Sequence, residues 1–370
     1  MHLENLYLAN FKNYSEAKID FSKDINALVG DNGSGKTNLL DAIHFLSMTK
    51  SAFNPVDQQS IRHDELFYSI IGTFIRKGKK MVINNSLTQG KRKKMLIDHN
   101  PVNKATEIIG LFPTVLIAPN DHSLIMDGGE TRRKFIDSII SQLDKSYLID
   151  LVEYNQALKQ RNRLLKQFSE TDTLDRDLLE PYDRLILVLG KRICDTRAVF
   201  CADFKERIEK HYQFLSDGKE AIDLIYESSF LEENYQTIFH NSLKKDIILQ
   251  RTNTGIHRDD FVFEMDGYAL KKFGSQGQQK SFLIALKLAQ FDAIKDNKEF
   301  KPILLMDDIF DKLDDHRIQK LTQMIEHHEF GQVFITDARP ERTFHFLEKL
   351  NINWKAISVN NGTLNPANNN

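Results

Sequence analysis

The sequence predicts an α/β fold in which a strand-rich head is interrupted by an inserted helical arm domain. An apolar run ends at Gly30, where a glycine-rich segment leads into residues with helical periodicity. A second apolar run, 303–306, ends in two adjacent aspartates. Between the two runs, residues 130–208 carry two long helical patterns with a polar break between them. We therefore expect a discontinuous head at 1–126 and 245–370, with a small antiparallel β subdomain at about 66–102, and a helical arm at 127–244.

Length and composition narrow the class of protein. The 370 residues suffice for two domains, and 41% hydrophobic with 28% charged residues is typical of soluble globular proteins. The net charge of −2 excludes an overall basic character, so any nucleic-acid surface must be local. Cys194 and Cys201 lie in a helical pattern and are expected to be reduced packing residues. With no apolar run of 18 residues and no signal peptide, we expect a cytoplasmic protein without a membrane partner.

The first 29 residues carry three short strand patterns, at 3–8, 17–21 and 25–29. The turn between the first two holds Lys12 and Asn13. Lys12 either approaches a bound nucleotide, with Asn13 beside it, or is a solvated turn lysine. The turn alone leaves both interpretations open.

Residues Gly30 to Thr37 match the phosphate-binding pattern G-x-x-x-x-G-K-[ST] between a strand and a helix. The glycines let backbone amides approach phosphate oxygens at the positive end of the helix. Lys36 is expected to reach the β- and γ-phosphates, and the Thr37 hydroxyl to bind Mg²⁺. The predicted nucleotide-binding residues are Gly30, Asp31, Asn32, Gly33, Ser34, Gly35, Lys36, Thr37 and Asn38.

The segment 66–102 shifts toward a period of two and predicts an antiparallel meander. Turn signals occur at Lys77–Gly78, Gln89–Gly90 and Asn100–Pro101. Two basic runs, 76–80 and 91–94, lie at its turns. They are either solvated charges that protect sheet edges or contacts to nucleic acid.

A long helical stretch is predicted from about Glu130, followed by a polar break at 169–177 and a second long helix. Its apolar seam is interrupted by Arg161. Two long helices joined by a polar turn predict an antiparallel hairpin, which serves as a lid or subdomain. The seam consists of Tyr147, Leu151, Tyr154, Leu158, Arg161, Leu165 and Phe168.

The chain then returns to strands at 261–265 and 269–273 around a turn at Asp266–Gly267. Next, 274–280 opens another helix, with Ser275 and Gly277 at its start. A serine and a glycine at a helix N-terminus form a second anion site. One phosphate-binding loop needs only one such site, so the second requires an explanation.

The strand at 303–306 ends in Asp307 and Asp308 and is typical of a Walker B segment. Asp307 is expected to hold Mg²⁺, and Asp308 to orient or deprotonate the attacking water. The alternative is that both cap the following turn. A Leu313–Asp314 turn, a helix through 318–325 and a strand at 332–337 follow, and the polar end of that strand should lie near the γ-phosphate.

Together these motifs resemble an ABC-type ATPase head. Thr37 and Ser275 are 238 residues apart, so the arrangement is similar to the structural-maintenance-of-chromosomes superfamily with a short arm. Within it the chain resembles the RecF family over almost its entire length. The resemblance lies in Asn10–Tyr14, Gly30–Leu40, Glu130–Asp137, Gln160–Asn162 with Leu164–Lys166, His257–Asp260, Ser275–Lys280 and Asp307–Asp308.

Three positions depart from the family pattern. Ile256 stands where the family has Pro, and Lys280 replaces an Arg, which keeps the charge but loses the planar fork. The segment Lys50–Asn54 lacks the Arg that usually follows its Lys-Ser pair, so the resemblance implies no nucleotide contact from an arginine there.

The resemblance implies a weak, DNA-stimulated ATPase that uses ATP and Mg²⁺ and dimerises when ATP is bound. It implies binding to DNA near single-strand/double-strand junctions, in recombinational repair with RecO and RecR. Asp308 and Lys36 would be catalytic, and Ser275, Gly277 and Gln278 of one protomer would meet the ATP of the other. Two other functions remain open, an ABC transporter ATPase subunit and a P-loop small-molecule kinase. The long spacing between the motifs argues against the transporter, and a kinase needs no second anion site.

Overall fold

The computed structural model describes residues 1–216, 218, 220–311, 315–350 and 352–367. The predicted Leu313–Asp314 turn lies outside them. In chain order the helices are α1 (Lys36–Met48), α2 (Ser123–Met126), α3 (Gly129–Leu143), α4 (Lys145–Thr171), α5 (Arg176–Ser216), α6 (Tyr235–Asn241), α7 (Leu243–Ile248), α8 (Leu270–Phe273), α9 (Gln276–Lys298), α10 (Asp315–Glu326) and α11 (Pro340–Glu348).

The strands are β1 (His2–Phe11), β2 (Tyr14–Asp20), β3 (Ile25–Val29), β4 (Phe67–Arg76), β5 (Lys79–Thr88), β6 (Lys94–Ile97), β7 (Asn100–Val102), β8 (Thr114–Ile117), β9 (Ile222–Glu227), β10 (Asp260–Met265), β11 (Tyr268–Ala269), β12 (Ile303–Met306), β13 (Val333–Asp337), β14 (Trp354–Asn360) and β15 (Thr363–Pro366).

The first compact unit combines Met1–Asp121 with Leu286–Asn370 and holds two six-stranded sheets. One is antiparallel in the order β2-β1-β4-β5-β6-β7. The other has the order β15-β14-β3-β13-β12-β8 and is parallel except for β15. Leu39, Leu40, Ile43 and Leu46 of α1 lie in one buried core with residues of both sheets, as their helical spacing predicts. This packing fixes α1 against both sheets.

The second compact unit runs from His122 to Ala285. Its long helices α4 and α5 form the predicted antiparallel hairpin, with Leu165, Phe168 and Leu179 buried between them. The predicted arm, 127–244, lies inside this unit, and the structure groups 245–285 with the arm rather than with the head. The reason is that β10 pairs with β9 from Asp260↔Glu227 to Met265↔Ile222, a long-range pairing that periodicity does not reveal.

Three local predictions were wrong. The helix expected from Glu130 is two helices, because the Asp144 carboxylate accepts hydrogen bonds from the Ser146 and Tyr147 amides and starts α4. The Asn100–Pro101 pair lies in edge strand β7, where proline is tolerated, and the turn is Asp98–His99, with φ of 48° and 67°.

The third error concerns 269–273, which is not a strand. Only Tyr268–Ala269 pairs with β10, and Leu270–Phe273 forms the helical turn α8. The carbonyls of Leu270 and Gly274 accept hydrogen bonds from the Gln279 side-chain amide. These bonds fold the segment onto the start of α9 instead of extending the sheet.

In the described part of the chain, no helix is both long enough and apolar enough to cross a membrane.

Candidate nucleotide site

The phosphate-binding loop follows β3 at the carboxyl edge of the parallel sheet. Its backbone requires glycine at Gly35, where φ is 119° and a Cβ atom would lie 2.4 Å from the Asn13 amide nitrogen. The loop leads into α1 without a side-chain cap, so the first amides of the helix point out of its N-terminus. Backbone donors at a helix N-terminus are a ready site for phosphate oxygens.

Lys36 lies inside the loop. Its side chain is buried, and Nζ donates hydrogen bonds to the carbonyl oxygens of Gly30 (2.7 Å) and Asp31 (2.9 Å). The Ser34 hydroxyl is buried and has no hydrogen-bond partner among the described residues. A buried ammonium and an unsatisfied hydroxyl within one turn are suited to an anionic ligand.

The turn after β1 is hydrogen-bonded to the phosphate-binding loop and to the first turn of α1. Asn13 donates to the Ser34 carbonyl (3.0 Å) and accepts from the Asn38 amide (2.8 Å), and the Tyr14 hydroxyl donates to the Gly35 carbonyl (2.9 Å). Asn13 therefore binds the phosphate-binding loop itself. Its predicted contact with a nucleotide stays a prediction.

Lys12 is engaged within the protein. Its Nζ lies 2.5 Å from the buried Asp41 carboxylate and 5.5 Å from the centre of the Phe53 ring. Asp41 also accepts from the Ser51 hydroxyl and the Ala52 amide. Lys12 is thus not a solvated turn lysine, and it ties the 51–53 segment to α1 at the edge of the nucleotide site.

Thr37 and Asp307 meet although 270 positions separate them in sequence. Thr37 Oγ1 lies 2.9 Å from Asp307 Oδ1 and 3.0 Å from Oδ2. That separation matches two neighbouring ligands of an octahedral Mg²⁺ at about 2.1 Å from the ion. Burial, together with the neighbouring Asp308 charge, raises the pKa of Asp307 above its ordinary value, and hydrogen bonds from Thr336 and Thr37 and the charge of Lys36 only partly offset this. A carboxylate and a hydroxyl so placed fit a hard cation.

Asp308 has an unusual backbone conformation. Its φ is 47°, the left-handed region that non-glycine residues seldom adopt. Thr336, fully buried at the end of β13, accepts a hydrogen bond from the Asp308 amide (2.9 Å) and donates one to Asp307 Oδ1 (2.8 Å). One hydroxyl thereby fixes both carboxylate residues. Sequence reasoning placed the polar end of this strand near the γ-phosphate but did not identify Thr336.

Asp337, the last residue of β13, is hydrogen-bonded to residues of α11. Its carboxylate accepts hydrogen bonds from the Arg342 guanidinium (2.7 Å) and the Thr343 hydroxyl (2.7 Å) of α11. These bonds outweigh its burial and hold the pKa of Asp337 below its ordinary value. Asp337 therefore anchors α11.

A cavity of about 870 Å³ lies beside the first turn of α1. Sequence reasoning missed most of its wall, because these residues belong to an irregular segment without periodicity. Arg62 brings a guanidinium to the same cavity as Asn54, which lies in the segment that lacks the family's usual arginine. The lining residues are Lys12, Asn13, Thr37, Asn38, Phe53, Asn54, Gln59, Arg62, His63 and Asp64.

The second predicted anion site lies in the other unit, at the start of α9. The Ser275 hydroxyl accepts from the Gln278 amide (3.3 Å), and the Gln278 side chain accepts from the Ser275 amide (2.7 Å), which together form a capping box. Gln278 also donates to Glu220 (2.8 Å). Ser275 and Gln276 are exposed, whereas the Gln278 side chain is engaged within its own unit.

The two basic runs of the β subdomain lie at opposite ends of β5. This ten-residue strand spans about 30 Å, so the runs do not form one patch. Arg76 donates to the Leu111 carbonyl, and Lys93 pairs with Asp57 at 2.6 Å. The exposed charges of the second run are Lys91, Arg92 and Lys94.

A further basic run, 132–134 in the first turns of α3, is also a candidate for contact with DNA, but most of it serves the arm itself. Arg132 pairs with Asp260 (2.8 Å), and Arg133 donates to the Asp259 carbonyl (2.5 Å). Lys134 pairs with Glu130 on the same helix (2.6 Å). Two of its three charges therefore support packing within the second unit.

Comparisons with known proteins agree with this arrangement. The family described as RecF/RecN/SMC N terminal domain matches residues 2–362. The DNA replication and repair protein RecF of Flavobacterium johnsoniae is 45% identical, over 97% of this chain and 100% of its own. The protein of the same name from Cytophaga hutchinsonii is 43% identical, over 98% of this chain and 96% of its own.

Solved structures give the same result. The recombination mediator protein RecF of the RecFOR pathway, in its RecF-ATP structure, is similar with a TM-score of 0.88 at 28% identity and covers 99% of both chains. An Smc head domain from Pyrococcus furiosus, with a TM-score of 0.56 at 19% identity, shows the fold alone. The predicted ABC-type α/β head is confirmed. The chain belongs to the RecF family, ATP-binding proteins of DNA replication and repair within the RecF/RecN/SMC ATPases.

Proposed function

We propose that the protein is an ATP-gated DNA clamp of recombinational repair, with weak ATPase activity that DNA stimulates. The observation that carries the proposal is the convergence of Lys36, Thr37 and Asp307 on the phosphate-binding loop, with Asp308 next to them. The loop amides and Lys36 would bind the phosphates of ATP. Asp308 would orient or deprotonate the attacking water.

Mg²⁺ is the metal that this site fits. Thr37 and Asp307 would hold it together with phosphate oxygens and water, because Mg²⁺ sites use one or two protein carboxylates. When bound, the ion would neutralise charge on the β- and γ-phosphates. The roles of the protein's own groups follow from position: Lys36 binds phosphate, and Thr336 keeps both aspartates in place.

A second protomer would complete the site. The first amides of α9 and the exposed Ser275 would cap the γ-phosphate held by Lys36 of the other protomer. ATP then favours the paired state because its γ-phosphate contacts both protomers only there, and hydrolysis removes this preference. Gly277 permits close approach, whereas Gln278 acts through the cap.

DNA would bind where exposed basic residues are not used for packing. Lys91, Arg92 and Lys94 satisfy this condition at one end of β5. A protomer neutralising three phosphates gives a slope of log affinity against log salt of about −3, and a pair about −5 to −6. We propose gapped or junction DNA as the preferred form, RecO and RecR as partners, and the cytoplasm as the place of action.

The test uses two variants at one position. Ser275→Arg obstructs the partner's phosphate, and Ser275→Asp keeps a good N-cap while placing a negative charge there. Thr173→Arg, in the exposed turn between α4 and α5, is the control for added charge. Molecular mass and affinity for labelled gapped duplex are measured with ATP and with ADP at two salt concentrations.

The wild type and the control should pair and bind DNA only with ATP. Both Ser275 variants should bind ATP as monomers and lose the DNA complex. Equal DNA affinity with ATP and ADP, or normal DNA binding by the Ser275 variants, would refute the ATP-gated clamp.

A further inference from the structure

Two aromatic rings of the second unit are exposed side by side, just before the start of α9. Tyr268 is 62% exposed and Phe273 is 68% exposed, and their ring centroids are 5.3 Å apart at 56°. No other phenylalanine, tyrosine or tryptophan side chain in the described part of the chain is as exposed. Such rings lose apolar contact with water only when a ligand covers them.

The segment that carries the rings is held rigidly. The Asp266–Gly267 turn has φ of 51° and 77°, which makes a tight hairpin that presents Tyr268 opposite Met265. Leu270, between the two rings in sequence, is fully buried and anchors the segment.

Close packing and hydrogen bonds complete this support. A Cβ on Gly274 would lie 2.7 Å from the Leu270 side chain, so the chain turns tightly here. Gln279 donates to the carbonyls of both Leu270 and Gly274. The rings are therefore pre-positioned, which reduces the entropy cost of binding a ligand.

Positive charge lies next to the rings. Lys271 and Lys272 are exposed between Tyr268 and Phe273 in sequence, and the Lys271 ammonium donates to the Met126 carbonyl. The stretch between the two rings therefore carries two positive charges and no negative one, and the exposed Asp266 lies two positions before Tyr268. Lysine is depleted from the cores of protein–protein interfaces, whereas aromatic rings beside basic side chains are typical of sites that bind single-stranded nucleic acid.

We propose that Tyr268, Phe273 and Lys272 form a stacking site for an unpaired base of single-stranded DNA. The rings supply the stacking surface, and the lysine neutralises a neighbouring phosphate. The inference rests on the proposed DNA-binding function and adds to it: the arm unit itself would recognise the single-stranded side of a junction. Duplex DNA keeps its bases stacked and offers these rings no base face.

The test measures anisotropy of a labelled 20-nucleotide thymidine oligomer with the full-length protein. Phe273→Ala and Tyr268→Ala should each weaken binding by roughly 10- to 100-fold, and Phe273→Trp should retain it. Phe214→Ala removes another exposed ring of the same unit, 36% exposed, and should change nothing. Lys272→Gln should reduce the salt slope by about 0.7.

An abasic oligomer of the same length separates stacking from charge. It keeps the phosphates and offers neither ring a base, so the wild type should bind it at least as weakly as Phe273→Ala binds thymidine, and the substitution should add no further loss. Duplex affinity of the ring variants should stay within about twofold of the wild type, which also shows that they are folded.

Unchanged oligomer affinity in both ring variants, or equal wild-type affinity for abasic and thymidine oligomers, would overturn the inference. It would also be overturned if Phe273→Ala left oligomer affinity unchanged and reduced only the increase in molecular mass that ATP causes. The rings would then contact a second copy of the chain. A wild type that binds duplex with ATP but fails these tests contradicts the stacking site alone. A wild type that binds no DNA contradicts the proposed function as well.

Discussion

Thr336 offers the sharpest test of the site, because its hydroxyl is hydrogen-bonded to both Asp307 and Asp308. Thr336→Val keeps the shape of this fully buried side chain and removes the hydroxyl. Two hydrogen bonds disappear, one to the Asp307 carboxylate at 2.8 Å and one from the Asp308 amide at 2.9 Å. Removing a bond to a charged group and leaving a buried amide unsatisfied together cost about 2–5 kcal/mol.

The functional effect should exceed the effect on ATP binding. Asp308 is held in the left-handed conformation at φ 47°, and holding a non-glycine residue there costs of the order of 1 kcal/mol or more. Once its amide is released, Asp308 can leave this conformation. Lys36 and the loop amides are untouched, so ATP should still bind. Hydrolysis should fall because the attacking water loses its positioned carboxylate.

The measurements are denaturant unfolding, ATP affinity and turnover of the wild type, Thr336→Val and Thr336→Ser. Serine keeps the hydroxyl and is the matched control, so it should retain most of the stability and turnover. The hydroxyl does not hold the two aspartates if Thr336→Val is as stable and active as the wild type. The same conclusion follows if Thr336→Ser loses as much stability and turnover as Thr336→Val.

Three further predictions concern single residues. Lys36→Ala should lower ATP affinity sharply by removing the charge at the phosphates, and Lys36→Arg should bind ATP without hydrolysing it; full turnover in either variant would contradict the role of the loop. Asp308→Asn should slow hydrolysis by about 100-fold or more and trap the ATP-bound pair, whereas Asp307→Asn should weaken Mg²⁺-dependent binding without trapping, as solution mass would show. Burial lowers the pKa of His257 from 6.5 to about 4. As the pH falls, the unfolded chain therefore takes up the proton before the folded protein does, and the free energy of unfolding should fall by up to about 3 kcal/mol between pH 6.5 and pH 4. His257→Asn should flatten this profile, and an unchanged profile would argue against a buried neutral imidazole.

The sequence sufficed for the parts of the site that are local. A phosphate-binding loop is a continuous segment whose glycines and lysine have fixed spacing, so Gly30–Thr37 could be predicted before any contact was known. The same holds for the strand that ends in Asp307. The structure adds that Thr37 and Asp307 are in direct contact, which the motif roles imply but do not establish.

The remaining features depend on pairings between distant segments. Nothing near Thr336 in the sequence indicates that its hydroxyl joins Asp307 to Asp308, and nothing near Arg76 or Lys93 shows that they are used for packing. The break at Asp144 escaped prediction because a capping aspartate has the same polarity as an exposed helical position.

Arg161 is a charged residue that is buried within the apolar seam of α4. It interrupts an apolar seam, yet it is 1% exposed, with Asp183 at 2.5 Å, Asp246 at 2.7 Å and the Thr252 hydroxyl at 2.8 Å. A buried guanidinium is tolerated when carboxylates and hydroxyls satisfy its donors. The sequence showed the anomaly, and its partners lie 22 to 91 positions away.

A second buried arginine, Arg197, binds residues from two of the family motifs. Arg197 of α5 pairs with Asp137 and Asp259, both at 2.9 Å, and donates to the Ile256 carbonyl at 2.9 Å. Asp137 and Asp259 come from two of the segments that identify the family, so these segments meet at one side chain.

Removing one partner of such a buried network costs about 3–5 kcal/mol, because the charges that remain have no counterpart. The same network fixes the start of β10, and β10 leads through its hairpin to the rings of Tyr268 and Phe273 and on to Ser275. The ion pairs of the arm therefore help to fix the position of the segment that carries Tyr268, Phe273 and Ser275. That is a structural reason for charged motifs in a helical domain that contains no part of the phosphate-binding loop.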